Sequence, residues 1–197
     1  MSARIYIEGG GEGNALQETF RRAWADFFEK AGIKKRPRVV RGGGRSGTWG
    51  DFLAAEGKKS RPDVVLLLVD SEDVPTQGKT AWDHLAERPA DRWQKPITAN
   101  DDAAHLMTVC METWFLADPA ALKSRYGSNF KERAITAWPD LEKVPKATVY
   151  ATLEKATSKQ YKKGEESFEL LRRLDPAKVE EKCVSAKRLL DRLRRLN

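Results

Sequence analysis

The chain predicts an α/β fold, a mostly parallel open sheet flanked by helices, with a helical C-terminal extension, and three observations predict it. Asp63–Val69 is a continuous apolar run without polar alternation, as expected of a strand covered by helices on both faces. Before it, short strand-like runs alternate with segments of helical period, the pattern of parallel βαβ units. After Pro139 the chain turns helical and charged.

Taken in order, Arg4-Ile5-Tyr6-Ile7 reads as a short buried strand that stops at a glycine cluster, which puts Glu8 at its carboxyl end. Asn14 is a plausible N-cap, and Leu16, Phe20, Trp24, Phe27 and Phe28 recur at helical spacing until Gly32. Residues 37–41 read as a second strand, 42–47 as a flexible glycine loop, and 49–56 as a helix with Trp49, Phe52 and Leu53 facing inward. Asp70 ends the third strand, so Glu8 and Asp70 are expected to meet beyond the carboxyl ends of a parallel sheet, where such folds bind ligands. Residues 74–102 carry prolines, tryptophans and mixed charge and read as an excursion with one short helix rather than core. A strand over 104–110 and a helix over 111–122 follow, and then helices over 148–157, 165–174 and 176–196, the last opened by Pro176. Residues 1–135 are thus expected to form the α/β core, with the insertion around 74–102, and residues 136–197 the helical extension.

Composition narrows the function classes. The charged residues make up 33% of the chain and the net charge is +7, a balance that favours polyanionic partners or simply solubility. No apolar run approaches the ~20 residues that span a bilayer and Met1 leads straight into a strand, so a cytoplasmic protein with no membrane partner is expected. The cysteines, Cys110 and Cys183, offer neither a disulfide framework nor a CxxC metal site, and a metal would have to be held by oxygen ligands. Gly42–Gly47 spells GxGxxG but follows the second strand, so NAD is not inferred, and neither a P-loop nor a GxSxG elbow is present. With Arg41 and Arg45, that loop could meet a phosphate backbone; Lys159 and Lys162 are further candidate nucleic-acid contacts.

Asp70-Ser71-Glu72-Asp73 crowds acids directly after a buried strand, where repulsion is unfavourable unless a cation offsets it. Mg²⁺ or Mn²⁺ would take a few such carboxylates and leave room for water and phosphate. The alternative is an acidic loop that caps a helix or pairs with surface bases. Among apolar neighbours, Glu112 must be paired if buried, with Lys163 or a metal. His105 on an apolar segment reads first as a satisfied core or helix-edge residue and second as a site residue, and Trp114 and Phe115 suit the core.

Ile7–Leu16 resembles the opening motif of Toprim domains, a strand that delivers a glutamate, then glycine and, in one branch, a second glutamate, here Glu12. Leu67–Asp73 resembles their second motif, with Glu72 in place of the second aspartate of Asp-x-Asp and Asp73 after it. Met111–Leu116 and Tyr161-Lys162-Lys163 resemble two later segments of the RloB-like proteins, which share that branch with the overcoming-lysogenisation-defect nucleases. The likeness runs over nearly the full length of the chain. It implies a Toprim-like fold and a metal-dependent phosphodiester reaction, plausible in a bacterial defence or DNA-processing module with a separate ATPase subunit. In it, Asp70 with Glu72 or Asp73 would hold the ion, Glu8 would be ligand or general acid/base, Glu12 would support a second ion, and Lys163 would stabilise the transition state. Tyr161 and Glu112 join the candidate site through the same motifs. A non-catalytic subunit that binds nucleic acid or an ATPase is the alternative, and a small-molecule phosphohydrolase a third reading. A homo-oligomer is compatible with any of them.

Overall fold

A computed structural model of the chain describes residues 2–9, 14–58, 60 and 62–196. Strands β1 (Ala3–Glu8), β2 (Arg38–Gly42), β3 (Val64–Asp70) and β4 (Ala104–Met107) form an all-parallel sheet in the order β2-β1-β3-β4. Helix α1 (Asn14–Lys30) links β1 to β2, and α2 (Arg45–Glu56) carries the chain back past β1 to β3. The strand order therefore reverses between β1 and β3, and a crevice opens at their carboxyl ends.

Both faces of the sheet are covered, which is why β3 is buried along its whole length. Ile5, Ile7, Leu66 and Leu68 face α1, whose Phe20, Trp24, Phe27 and Phe28 are fully buried. Tyr6, Val65, Leu67 and Val69 face Phe52 of α2 on the other side. Helix α1 stops where Gly32 adopts φ +75, with Gly32 N–H on the Glu29 carbonyl and Ile33 N–H on the Phe28 carbonyl, a Schellman ending that glycine enters without a Cβ penalty.

Several expectations are corrected. Helix α2 begins at Arg45, so part of the expected 42–47 loop is helical; the earlier start turns Thr48, Phe52 and Ala55 to the sheet and leaves Leu53 exposed. The 74–102 excursion holds one short helix, α3 (Ala81–Glu87), but it is also core: Trp82, Leu85, Trp93 and Ala99 are buried against the α2 face. The expected helix over 111–122 is two, α4 (Glu112–Ala117) and α5 (Pro119–Tyr126), because Pro119 cannot continue the ladder and Asp118 caps the new start at the Ala121 N–H. Helices α6 (Lys146–Ala156) and α7 (Glu165–Arg173) follow. The expected helix over 176–196 is also split, into α8 (Pro176–Lys182) and α9 (Val184–Arg194), at the extended, buried Cys183, where Glu142 accepts the Ser185 N–H. Phe168, Leu170, Leu189 and Leu193 of these last helices share one core with α1, which joins the C-terminal helices to the α/β core. Among the described residues no helix is long and apolar enough to cross a membrane.

Candidate metal centre

β1 and β3 end side by side, with Ile7 level with Leu68, and each strand hands a carboxylate to the crevice. The Asp70 N–H donates to Glu8 Oε2 at 3.2 Å. Beyond β3 the chain continues its pairing with the β4 side, Ser71 N–H on the Met107 carbonyl and Glu72 N–H on the Val109 carbonyl, both at 2.9 Å. Glu72 sits at φ 67, a left-handed conformation rare for a non-glycine residue and of the kind that functional turns retain. A ring nitrogen of His84 bonds the Ser71 carbonyl at 2.8 Å and braces the turn. The result is a cluster in which one carboxylate oxygen each from Glu8, Asp70 and Glu72 lie within 4.8 Å of one another.

Two cations balance the cluster. Arg45, at the start of α2, donates to both oxygens of Asp91, at 2.8 and 2.6 Å, and to Glu8 Oε2 at 3.0 Å, while its guanidinium lies 5.0 Å from the Trp93 ring centre. Arg88 reaches the same Asp91 at 3.2 Å and Asp73 at 3.2 Å, so an ion-pair chain runs from Glu8 through Arg45 and Asp91 to Arg88. Lys146, the first residue of α6, places its Nζ 2.7 Å from Glu72 Oε2 and 3.7 Å from Asp70 Oδ2.

The cluster opens into a cavity of about 420 Å³ lined by Gly44, Met107, Met111, Glu112, Lys163 and Phe168 along with Glu8 and Asp70. Glu112 is buried at the start of α4, its carboxylate held by the Tyr161 hydroxyl at 2.7 Å, and that hydroxyl also shares a 2.7 Å hydrogen bond with Ser167. Burial, then the negative charges of Glu112 and Glu8, push Asp70 up to about 8, although Lys146 and Lys163 pull the other way. Burial also raises Glu8, against the opposing charge of Arg45. Burial disfavours the charged Lys146 amine, but its hydrogen bond to Glu72 and the fields of Asp70 and Glu72 prevail and raise it.

Glu8, Asp70, Glu72, Glu112 and Lys163, all expected from the sequence, come to one cavity or its edge, with Tyr161 behind Glu112. Between Glu72 and Asp73, it is Glu72 that joins the cluster; Asp73 is exposed and turned to Arg88. Arg45 is corrected from a phosphate-facing loop cation to a largely buried partner of Glu8 and Asp91, because α2 starts at that residue. Glu112 pairs with Tyr161, not with Lys163, whose ammonium lies 5.8 Å from the Tyr150 ring centre. His105 is buried in β4 and lines a different cavity, and among the described residues neither ring nitrogen has a hydrogen-bond partner within bonding geometry. Lys159 and Lys162 are exposed; Lys159 lines a separate surface depression with Lys131 and Lys155, and Arg41 is half-buried. Glu12 lies outside the described residues. Asp91, Arg88 and Lys146 were missed. Asp91 and Arg88 sit in a stretch of mixed charge, and the only signal for Lys146 was its place beside Pro145 at a helix start.

Fold and site together define a class: an all-parallel α/β protein with a carboxylate cluster, braced by Arg45 and Lys146, at the point where its strand order reverses. Residues 7–194 match the family described as "Domain of unknown function (DUF4276)", and the chain belongs to that family. No curated protein and no solved structure matches it.

Proposed function

We propose that this chain is a Toprim-type, divalent-metal-dependent nuclease that hydrolyses phosphodiester bonds of DNA or RNA, working with a separate ATPase. The observation that carries this reading is the convergence of Glu8, Asp70 and Glu72 within 4.8 Å, in the acid order of the Toprim motifs, at the mouth of a cavity. The donor set suits Mg²⁺ or Mn²⁺: it is all oxygen and comes from three separate backbone positions, and burial, then the charges of Glu112 and Glu8, raise Asp70 as long as no cation offsets them. Bound there, such an ion would supply Lewis acidity toward a phosphate oxygen and acidify a water ligand.

The remaining roles belong to the chain itself. Arg45 and the Asp70 N–H both bond Glu8 Oε2, which fixes the carboxylate, and burial raises its proton affinity toward that of a useful base. Tyr161 and Ser167 hold Glu112 against the cavity wall. Lys163 lines the same cavity from its exposed side, where a cation can meet a phosphate oxygen. Met107, Met111 and Phe168 supply an apolar wall for the sugar or base of the substrate.

The test is incubation of the purified protein with Mg²⁺ or Mn²⁺ and separate DNA, RNA and tRNA substrates, alone and with any ATPase encoded beside it. Divalent-dependent cleavage that disappears in Asp70→Asn and Glu8→Gln is the expected result. Absence of cleavage under every condition replaces this reading with a non-catalytic subunit that binds nucleic acid or an ATPase, and full activity in both variants removes the carboxylate cluster from the chemistry.

A further inference from the structure

We propose that Lys146 takes the place of a second divalent cation, so that the carboxylate cluster accepts a single metal ion per chain. The inference rests on the metal-site reading above and adds which cation sits where. Two-ion phosphodiester sites hold their ions about 3.5 to 4 Å apart and need carboxylate oxygens shared between them. In this cluster a cation already sits between two of the three carboxylates: Lys146 Nζ bonds Glu72 Oε2 at 2.7 Å and lies 3.7 Å from Asp70 Oδ2, in ion-pair range but not hydrogen-bonded to it. The other oxygen of Asp70 accepts the Met111 N–H at 3.0 Å. Glu8 Oε2 is bonded by Arg45 and the Asp70 N–H, but among the described residues the second oxygens of Glu8 and Glu72 accept no hydrogen bond, which leaves these beside Asp70 for one divalent ion.

The Lys146 contact is not a casual surface pair. Its side chain is 25% exposed, that of Glu72 25% and that of Asp70 7%. Lys146 opens α6, and Val149, one turn on, is fully buried, so the lysine reaches the cluster from an anchored helix. Glu72 meets it from a left-handed turn held at Ser71 and Glu72 by hydrogen bonds to the Met107 and Val109 carbonyls. Among the described residues no other base at the site is placed to do the same: Arg45 is engaged by Asp91 and Glu8, and Lys163 lies over the Tyr150 ring. A fixed ammonium in this position contributes the positive charge that a second ion would otherwise bring, without needing to be loaded. Lys146 is thus a positioning residue for the metal and for the two carboxylates it spans.

Mn²⁺ titration of the full-length protein, read by electron paramagnetic resonance and calorimetry, counts the ions directly. The wild type and Lys146→Arg should each saturate at one tight Mn²⁺ per chain, whereas Lys146→Met and Lys146→Gln, checked for folding by thermal denaturation, should each saturate at two. Two ions on the wild type or on Lys146→Arg, or one on both neutral variants, overturns the inference and leaves the metal-site reading in place. Absence of saturable Mn²⁺ binding by the wild type and every variant overturns both.

Discussion

At the scale of single residues, the electrostatics of burial make distinct demands at Asp70, Arg45 and His105. The folded pKa of Asp70, about 8, lies above its unfolded value, so the metal-free folded state binds the extra proton. Its contribution to stability is therefore greatest at low pH and is lost as pH rises toward 8, and on the proposed metal-site reading divalent binding, which would need the carboxylate, should strengthen over the same range. Asp70→Asn should remove both trends: its melting temperature should equal or exceed that of the metal-free wild type at pH 8, and Mn²⁺ should no longer raise it. Arg45 is the opposite case, a charge whose removal strands others. Arg45→Met leaves Asp91 and Glu8 short of their main partner and should destabilise the protein by about 3 to 5 kcal/mol, measured by urea denaturation. His105, pushed down to about 4 by burial, stays neutral in the fold but charges in the unfolded chain once pH falls below about 6.5. Its stabilising contribution is complete above that pH and is lost between there and about 4; His105→Leu should flatten this acid limb, visible in denaturation midpoints at pH 7 and pH 4.5.

Elements impose the next set of constraints. The end of β2 packs so tightly on α2 that a Cβ on Gly42 would come within 2.5 Å of the Thr48 backbone, and a Cβ on Gly9 would lie 2.7 Å from the Phe20 ring. Gly42→Ala should therefore force β2 and the start of α2 apart and lower stability by roughly 1 to 3 kcal/mol, with Arg45 displaced from Glu8 as a consequence. A calorimetric melt together with loss of Mn²⁺ affinity would register both effects, whereas unchanged stability would mean that the strand end moves freely. The 74–102 excursion belongs to this scale too. Trp93 stacks on Trp49 at 4.8 Å and 4°, and this aromatic clamp between the excursion and α2 sets Asp91 against Arg45. What reads in the sequence as a surface detour is the element that braces Glu8 from behind.

For the molecule as a whole, charge is the property with the longest reach. The net charge of +7 coexists with an acidic cavity, so a polyanion would be drawn to the surface by cations other than those that hold the site. Lys131, Lys155 and Lys159 line one surface depression, and Lys162 is exposed in the segment leading to α7. If the proposed nuclease reading holds, replacing Lys155, Lys159 and Lys162 with glutamine should weaken nucleic-acid binding and make the slope of log K against log salt shallower by about 2 to 3. Binding that ignores salt, or that is unchanged in the triple variant, would assign the positive surface to a protein partner instead.

How much of this was legible before folding depended on distance along the chain. The apolar run of β3, the aromatic spacing of α1 and the acids at the ends of β1 and β3 are local patterns, and local backbone preference and hydrophobic period were enough to read them. The parallel sheet followed from their alternation. The helix breaks at Asp118 and Cys183 were not read; the first had a visible Asp-Pro signal, the second only a tertiary cause, the Glu142 carboxylate that takes the Ser185 N–H. The choice of Glu72 over Asp73 turned on a left-handed backbone at Glu72, which no side-chain pattern announces. Arg45 finds Asp91 across 46 residues and Lys146 finds Glu72 across 74, and such pairings depend on which crossover brings which helix start to the crevice. Periodicity determines which face of an element is buried; only the packing of elements decides which charges must share that burial, because the energy of a buried charge depends on the neighbours that replace its water.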